Sequence, residues 1–249
     1  MVLFWRLVLA HVAADFALQT DAVFRVKKRF SRGVLLHGAI FALTSILVTI
    51  PYLNILPLWG GLVFLWLFHV AVDKAKLVLS VSAQRDHLGY FLLDQLLHLG
   101  AIGLICLPLD RHPGIALAAR RSAALVPLFK LGTAYITAIW ASPLFSLYVR
   151  SACLRWKRWR SREPESAAPL TEGAPRMFPS GPWRWLGYIE RGCLVAVIAQ
   201  GGRLPLLIPL VLLPRTALWI SGGRESSALW ELILGSALAV SLGLWAGTF

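Results

Sequence analysis

The sequence predicts an all-α, polytopic integral membrane protein with about eight transmembrane helices in two bundles, joined by a basic, disordered cytoplasmic linker. Three observations predict this fold class. Apolar residues make up 57% of the 249 residues and charged residues only 15%, whereas soluble domains carry about a quarter charged residues. Apolar stretches of about 18 residues or more recur along the chain, and each is long enough to cross the hydrocarbon core. The basic residues cluster between these stretches.

The apolar stretches define the predicted transmembrane helices in chain order. The first stretch is short, and Pro209 and Pro214 interrupt the seventh. The predicted spans are 2–20, 33–52, 56–79, 89–109, 122–149, 184–202, 204–221 and 228–248.

A polar segment separates the fifth span from the sixth. It begins with the basic residues of 150–162 and continues as a stretch rich in Pro and Ser, a composition typical of flexible linkers. The predicted domains are a five-helix membrane domain (1–149), a cytoplasmic linker (150–183) and a three-helix membrane segment (184–249).

The distribution of Lys and Arg predicts the orientation of the chain. The loops that follow the odd-numbered spans carry eighteen of these residues, and the alternate loops carry four. Because cytoplasmic loops carry the excess, the N-terminus is predicted to lie outside. The same clustering predicts membrane lipid as the partner, with anionic headgroups at the basic cytoplasmic loops, and no nucleic acid. Self-association into a homo-oligomer is compatible with this pattern.

Three pairs of ionisable residues lie inside the apolar spans, each at i, i+4 spacing. This spacing puts both side chains on one helix face, and a buried imidazole or carboxylate is costly unless it finds a partner. The pairs are His11 with Asp15, His69 with Asp73, and Asp94 with His98. In the predicted topology every Asp lies nearer the cytoplasm than its His. His37, near the cytoplasmic end of the second span, joins the same layer.

Imidazoles and carboxylates without cysteine suit a divalent metal ion; Zn²⁺ is favoured, and Mn²⁺, Fe²⁺ or Mg²⁺ also fit. The predicted ligands are His11, Asp15, His37, His69, Asp73, Asp94 and His98. Since a closed site needs about four ligands, either two ions bind or the surplus groups act as bases and orienters. A metal with an open position activates water, which predicts hydrolysis. The predicted catalytic groups are Asp15, Asp73, Asp94 and His98.

Four further polar side chains are candidates for substrate binding: Gln19, Lys76, Gln95 and Arg191. Glutamine amides bind a substrate or a ligand carboxylate, and basic groups bind an anionic headgroup. Interfacial capping explains the glutamines equally well, and snorkelling explains Lys76. Arg191 has a structural alternative, an ion-pair network with Glu190, Arg215 and Glu231 in the second bundle.

The predicted function is that of a metal-dependent membrane hydrolase acting on a lipid or other amphipathic substrate at the cytoplasmic leaflet. Two alternatives stay open. Intramembrane His and Asp chains also relay protons, so a proton-coupled or metal-ion transporter could use the same residues, although the outer halves of spans 2 and 4 are almost wholly apolar. A non-catalytic membrane scaffold could use the basic segment 150–162 to recruit a partner.

Several motifs resemble a known membrane family. They are His11-x-x-x-Asp15-Phe16-x-x-Gln19, Leu35-Leu36-His37-Gly38, His69-x-x-x-Asp73-x-x-Lys76 and Asp94-Gln95-x-x-His98. Over about residues 5–108 the chain resembles the bacterial family called domain of unknown function 3307. Residues 186–191 and 231–235 are similar to the C-terminal extension of longer members. The resemblance implies a multi-pass protein of the bacterial inner membrane and supports the His/Asp site, but the family implies no particular reaction.

Overall fold

A computed structural model describes residues 1–29, 31–82, 88–161, 182–221 and 226–247, and within these ranges the chain is helical and contains no β-strand. The predicted all-α class is therefore confirmed for the described residues. The helices form two compact units, Met1–Ile136 and Thr137–Thr248. The division falls inside the predicted fifth span, earlier than the predicted domain boundary at residue 149.

The first unit contains seven described α-helices. α1 continues into a π-helical turn, Ala13–Ala17. Thr20 caps α2, because its hydroxyl accepts a hydrogen bond from the Val23 N–H, and α6 begins at Pro113, where a missing N–H costs nothing. The helices are α1 Val2–Val12, α2 Asp21–Arg29, α3 Ser31–Val48, α4 Leu56–Ser82, α5 Leu88–Leu109, α6 Pro113–Arg121 and α7 Val126–Ile136.

Four of these helices form a ring in which α1 packs on α3, α3 on α4, α4 on α5 and α5 on α1. Apolar side chains from all four fill one end of the ring; they include Leu3, Leu7, Phe41, Leu58, Leu62, Leu65, Ala101, Ile102 and Cys106. These residues precede His11 and His69 in their helices but follow His37 and His98 in theirs. Neighbouring helices of the ring therefore run in alternate directions, and the four histidines lie at the same side of the apolar core.

The second unit begins with another π-helical turn, Thr137–Ala141, and contains four described α-helices. They are α8 Ser142–Ser161, α9 Pro182–Gln200, α10 Ile208–Ser221 and α11 Ser226–Gly247. α9 packs against α10 and α11, and α11 also packs against α8. Gly243 allows α11 to approach α9 closely, because a Cβ at this position would lie 2.7 Å from the Cβ of Ile198.

Among the described residues, four helical segments are long and apolar enough to cross a membrane: Leu88–Leu109, Ala123–Lys157, Leu204–Ser221 and Ala228–Gly247. A fifth is formed if α1 with its π-helical turn is counted together with α2, although the chain bends by 88° between the two. Arg32–Val48 is apolar but shorter. Every predicted span overlaps a helix, yet the candidate spans number four or five rather than eight.

Two segments predicted as non-helical are helical. The basic part of the predicted linker, 150–161, continues α8 to Ser161, since neither Pro nor Gly occurs between Pro143 and Pro164 to end the helix. The remainder of that linker, 162–181, lies outside the described residues. The basic loop predicted after the first span forms the helix α2.

Candidate metal centre

Asp15 occupies the π-helical turn that follows α1. Such a turn inserts an extra residue into the helix and is frequent at functional sites. His11 lies one turn earlier and directs its imidazole at the same carboxylate, with 3.7 Å between His11 Nδ1 and Asp15 Oδ1. The i, i+4 spacing of these residues therefore produces the contact that the sequence predicted.

Four ligand-type atoms, from the π-helical turn, α3 and α4, lie close together. His37 Nε2 lies 3.3 Å from Asp15 Oδ1 and 3.4 Å from Asp73 Oδ2. His69 Nε2 lies 3.5 Å and 3.4 Å from the same two oxygens. An ion bound tetrahedrally through bonds of about 2.1 Å separates its ligand atoms by about 3.4 Å. Four of the six separations among these atoms therefore equal the edge length of a tetrahedral site.

Asp94 and His98, on α5, stand next to this set. Ligand atoms of Asp15, Asp94 and His98 lie within 4.8 Å of one another, and so do those of His11, His69 and His98. His98 Nδ1 donates a hydrogen bond of 2.8 Å to the backbone carbonyl of Asp94. The neutral ring therefore carries its lone pair on Nε2, which suits a metal ligand or a general base.

Gln95 connects His11 with two of the carboxylates. Its side-chain oxygen lies 3.3 Å from His11 Nε2, and its amide nitrogen donates to Asp94 Oδ2 at 3.1 Å and to Asp15 Oδ2 at 3.5 Å. Because His11 Nε2 donates to the Gln95 oxygen, the lone pair of a neutral His11 lies on Nδ1. That nitrogen faces Asp15 Oδ1, so an acceptor faces an acceptor, an arrangement that a cation stabilises.

The seven predicted ligands are buried; His11, His37 and His69 are 0% exposed, and Asp15, the most exposed, is 6% exposed. Within the described part of the chain, no hydrogen bond reaches one oxygen of each carboxylate, one nitrogen of His11 and of His98, or either ring nitrogen of His37 and His69. These atoms are Asp15 Oδ1, Asp73 Oδ2, Asp94 Oδ1, His11 Nδ1, His98 Nε2, and both Nδ1 and Nε2 of His37 and His69. Buried polar atoms without a partner are rare and point to an ion or water. We call these seven residues the His/Asp cluster.

Two lysines contact the His/Asp cluster from outside. Lys27 Nζ, which comes from α2, lies 2.7 Å from Asp73 Oδ1 and donates to Gln19 Oε1 at 3.2 Å. Lys76 Nζ lies 3.0 Å from Asp94 Oδ2. Of the predicted substrate-binding residues, Lys76 and Gln95 contact the cluster directly, and Gln19 contacts it through Lys27. Lys27 was not predicted as a site residue, because its segment was interpreted as a basic loop rather than as a helix.

Comparison with known proteins identifies a family for the first part of the chain. Residues 3–113 match the family model described as Protein of unknown function (DUF3307). We call this stretch, 3–113, the DUF3307 region. The family resemblance predicted from the sequence motifs is therefore confirmed, and the matched residues contain the whole His/Asp cluster. No curated protein and no solved structure gives a significant match to the chain.

Arg191 lies outside the DUF3307 region and forms ion pairs within the second unit. Arg191 Nη1 and Arg215 Nη2 both lie 3.1 Å from Glu231 Oε1, and Arg215 Nη1 lies 3.2 Å from Glu190 Oε1. Arg191 Nη2 also donates to the backbone carbonyl of Ile139 in the second π-helical turn, Thr137–Ala141. These contacts form the ion-pair network that was the structural alternative for Arg191, and a role of Arg191 in substrate binding stays a prediction.

Proposed function

We propose that the DUF3307 region of this chain is a metal-dependent membrane hydrolase acting on a lipid or other amphipathic substrate at the cytoplasmic leaflet. One observation carries the proposal. The Nε2 atoms of His37 and His69 each lie 3.3–3.5 Å from two carboxylate oxygens, Asp15 Oδ1 and Asp73 Oδ2. Ligands of a tetrahedral zinc ion lie about 3.4 Å apart. The buried acceptors that lack donors support the same interpretation, since a cation compensates them.

Zn²⁺ is the ion that we favour, because two imidazole nitrogens and two carboxylate oxygens are common zinc ligands. Mn²⁺, Fe²⁺ and Mg²⁺ are the alternatives for this donor set. A second ion would have Asp15, Asp94 and His98 as ligands and would share Asp15 with the first ion. The two ions of a two-metal hydrolase stand about 3.5–4 Å apart and commonly share ligands.

The ion supplies Lewis acidity and an activated water when bound. When a single ion is bound and His98 is not a ligand, His98 Nε2 accepts the proton of the attacking water, because Nδ1 of this ring is held by the backbone carbonyl of Asp94. Gln95 orients Asp15 and Asp94 through its amide nitrogen. The water oxygen bonds to the electrophilic atom of the ester, the bond to the leaving oxygen breaks, and His98 returns the proton to that oxygen.

We place the His/Asp cluster beneath the cytoplasmic surface of a bacterial inner membrane, with the N-terminus outside, because the loops with excess Lys and Arg follow the odd-numbered spans. Eight crossings require α1, α3, α9 and the longest helix, α4, to span in addition to the four candidate segments. The 27 residues of α4 extend about 40 Å at about 1.5 Å per residue, which is enough for the hydrocarbon core. Lys27 and Lys76 would then face the anionic cytoplasmic leaflet.

A proton-coupled or metal-ion transporter is the second candidate, since imidazoles 3.3–3.5 Å from carboxylates also suit proton transfer. A transporter needs a polar path through the whole bilayer. The ring of α1, α3, α4 and α5 is filled at one end by buried residues such as Leu58, Leu65 and Ile102. This apolar end favours a site with access from one side, as an enzyme requires.

The metal content of the detergent-purified chain, measured by elemental analysis after removal of loosely bound ions, tests the proposal. We expect about one zinc ion or more per wild-type chain and a loss of most of it in His69→Ala and Asp73→Ala. His112→Ala is the matched control, because His112 precedes α6 outside the cluster. Absence of metal from the wild type refutes the hydrolase, and equal metal in wild type and His69→Ala refutes the site.

A further inference from the structure

We infer that the substrate carries a phosphate group, which Lys27 and Lys76 bind beside the metal ion. This inference rests on the proposed hydrolase and names the class of its substrate: an amphiphile whose headgroup ends in a phosphate monoester. The carrying observation is that each lysine contacts a carboxylate of the His/Asp cluster from the outer side, at 2.7 Å for Lys27 and 3.0 Å for Lys76.

In both Asp73 and Asp94, the two carboxylate oxygens contact different neighbours. Asp73 directs Oδ2 at His37 and His69 and Oδ1 at Lys27. Asp94 directs Oδ1 at His98 and Oδ2 at Lys76. The ammonium groups of both lysines are therefore separated from the proposed ligand atoms by a single carboxylate. A phosphate that contacts the ion would also lie within reach of these ammonium groups.

The combined charge of the His/Asp cluster and the two lysines changes sign when an ion binds. Three carboxylates and two lysines, with neutral imidazoles, carry a net charge of minus one, and one divalent ion converts this to plus one. A buried site with excess positive charge favours an anionic ligand. A phosphate monoester carries about 1.5 to 2 negative charges at neutral pH, and lysine is a common phosphate-binding residue.

The exposure of the side chains shows from which side a ligand reaches the cluster. The side chains of Lys27 and Lys76 are 15% and 24% exposed, whereas those of Asp73 and Asp94 are 2% and 4% exposed. The lysines thus form the outer layer, on the side away from the apolar core. An incoming phosphate meets the ammonium groups first and the metal ligands behind them.

The position of Lys27 indicates an amphiphile rather than a water-soluble ester. Lys27 belongs to α2, a nine-residue helix that lies at 88° to the preceding helix and packs against α3. A short, basic, amphipathic helix across the end of a membrane bundle lies in the plane of the headgroups. Lys27 is therefore at the depth at which a lipid phosphate stands.

The inferred reaction is hydrolysis of the monoester. The water oxygen bonds to phosphorus, the bond between phosphorus and the ester oxygen breaks, and the leaving oxygen takes the proton that His98 removed from water. The products are inorganic phosphate and the lipid alcohol. Lys27 and Lys76 compensate the charge of the non-bridging phosphate oxygens and take no proton.

Binding of phosphate compounds by the zinc-loaded full-length chain in a phosphate-free detergent tests this inference. The probes are inorganic phosphate, dioctanoyl phosphatidic acid and, as the control without phosphate, dioctanoylglycerol, each measured by titration calorimetry. We expect both phosphate compounds to bind at least about tenfold more weakly to Lys27→Met and Lys76→Met than to the wild type. Lys74→Met is the matched control, because Lys74 is exposed on the same helix as Lys76.

The outcomes separate this inference from the proposed function. Zinc without phosphate binding, or wild-type phosphate affinity in both lysine variants, overturns the inference and leaves the metal site standing. Absence of zinc from the wild type refutes the proposed function itself. Tighter binding of phosphatidic acid than of inorganic phosphate supports a lipid substrate, and equal binding of phosphatidic acid and dioctanoylglycerol overturns the role of the phosphate. Zinc content and elution volume of each variant show that the fold and the site persist.

Discussion

Asp15→Asn is the substitution that separates metal binding from protein stability most clearly. Asp15 Oδ1 lies 3.3 Å from His37 Nε2, 3.5 Å from His69 Nε2 and 3.7 Å from His11 Nδ1. Asparagine keeps the size of the side chain but removes its charge and replaces one acceptor by a donor. In metal-free protein the new N–H₂ group can donate to an imidazole, so we expect no loss of stability. In the presence of zinc we expect a large loss of the stabilisation that zinc provides.

The four-atom set allows the size of this loss to be estimated. Structural zinc sites supply about 10–16 kcal/mol through four ligands, so one ligand accounts for about 3 kcal/mol, or about 150-fold in Kd. Zinc at about 100 times the wild-type Kd stabilises the folded protein by about 2.7 kcal/mol. The same zinc concentration stabilises a variant with about 150-fold weaker binding by only about 0.3 kcal/mol.

Thermal unfolding in detergent, with and without zinc, measures both effects. Wild type should unfold at a distinctly higher temperature with zinc, and Asp15→Asn should show almost no zinc-dependent shift. Asp110→Asn is the matched control, since Asp110 pairs with the N-terminal amine rather than with the cluster. A full zinc-dependent shift in Asp15→Asn would show that Asp15 is not a ligand. Strong destabilisation of the metal-free variant would show that Asp15 Oδ1 is already stabilised by its protein neighbours and needs no cation.

Three further predictions concern the second unit and the pH dependence. In the same unfolding assay, Gly187→Ala should destabilise the chain by about 1–3 kcal/mol, because the new Cβ would lie 3.0 Å from Arg191 Nη1. Gly192→Ala is the control and should be nearly neutral, because the atom nearest to its Cβ is 3.5 Å away. Arg191→Met leaves two carboxylates with one arginine and should lower the free energy of unfolding by about 3–5 kcal/mol. Adding Glu231→Gln should recover part of that loss, and additive losses in the double-mutant cycle would contradict the pairing. Zinc content should fall as pH is lowered from about 7.5 to about 5, because protons compete for the imidazoles; constant content would exclude histidine ligands.

The clustering of the His and Asp residues was predictable because two simple rules apply to it. The i, i+4 spacing places each pair on one helix face, and alternate helix directions bring pairs that read His–Asp and Asp–His to one level. Hydropathy located the helices that carry them, since α4 and α5 begin and end within three residues of the predicted spans. Neither rule depends on details of side-chain packing, which explains the success.

Other features depend on packing and were not predictable. The π-helical turn at Ala13–Ala17 has no Gly or Pro to mark it, so the sequence pattern gives no signal for the extra residue that it inserts. The sequence pattern of α2 was dominated by its basic residues, which are typical of a cytoplasmic loop, so the inward direction of Lys27 was missed. The division at Ile136 lies inside a continuous apolar stretch, where composition does not change.

The distances between the imidazoles favour a metal ion over a chain of protonated histidines. If no metal bound, the inner oxygens of Asp15, Asp73 and Asp94 would need donors, and the groups that adjoin them include the imidazole nitrogens of His37, His69 and His98. The ring centroids of His69 and His98 are 4.4 Å apart, and those of His37 and His69 are 5.0 Å apart. Two imidazolium cations at such distances in a buried site repel each other strongly. One divalent ion supplies the same positive charge at a single point, between the acceptors that need it, and leaves every imidazole neutral.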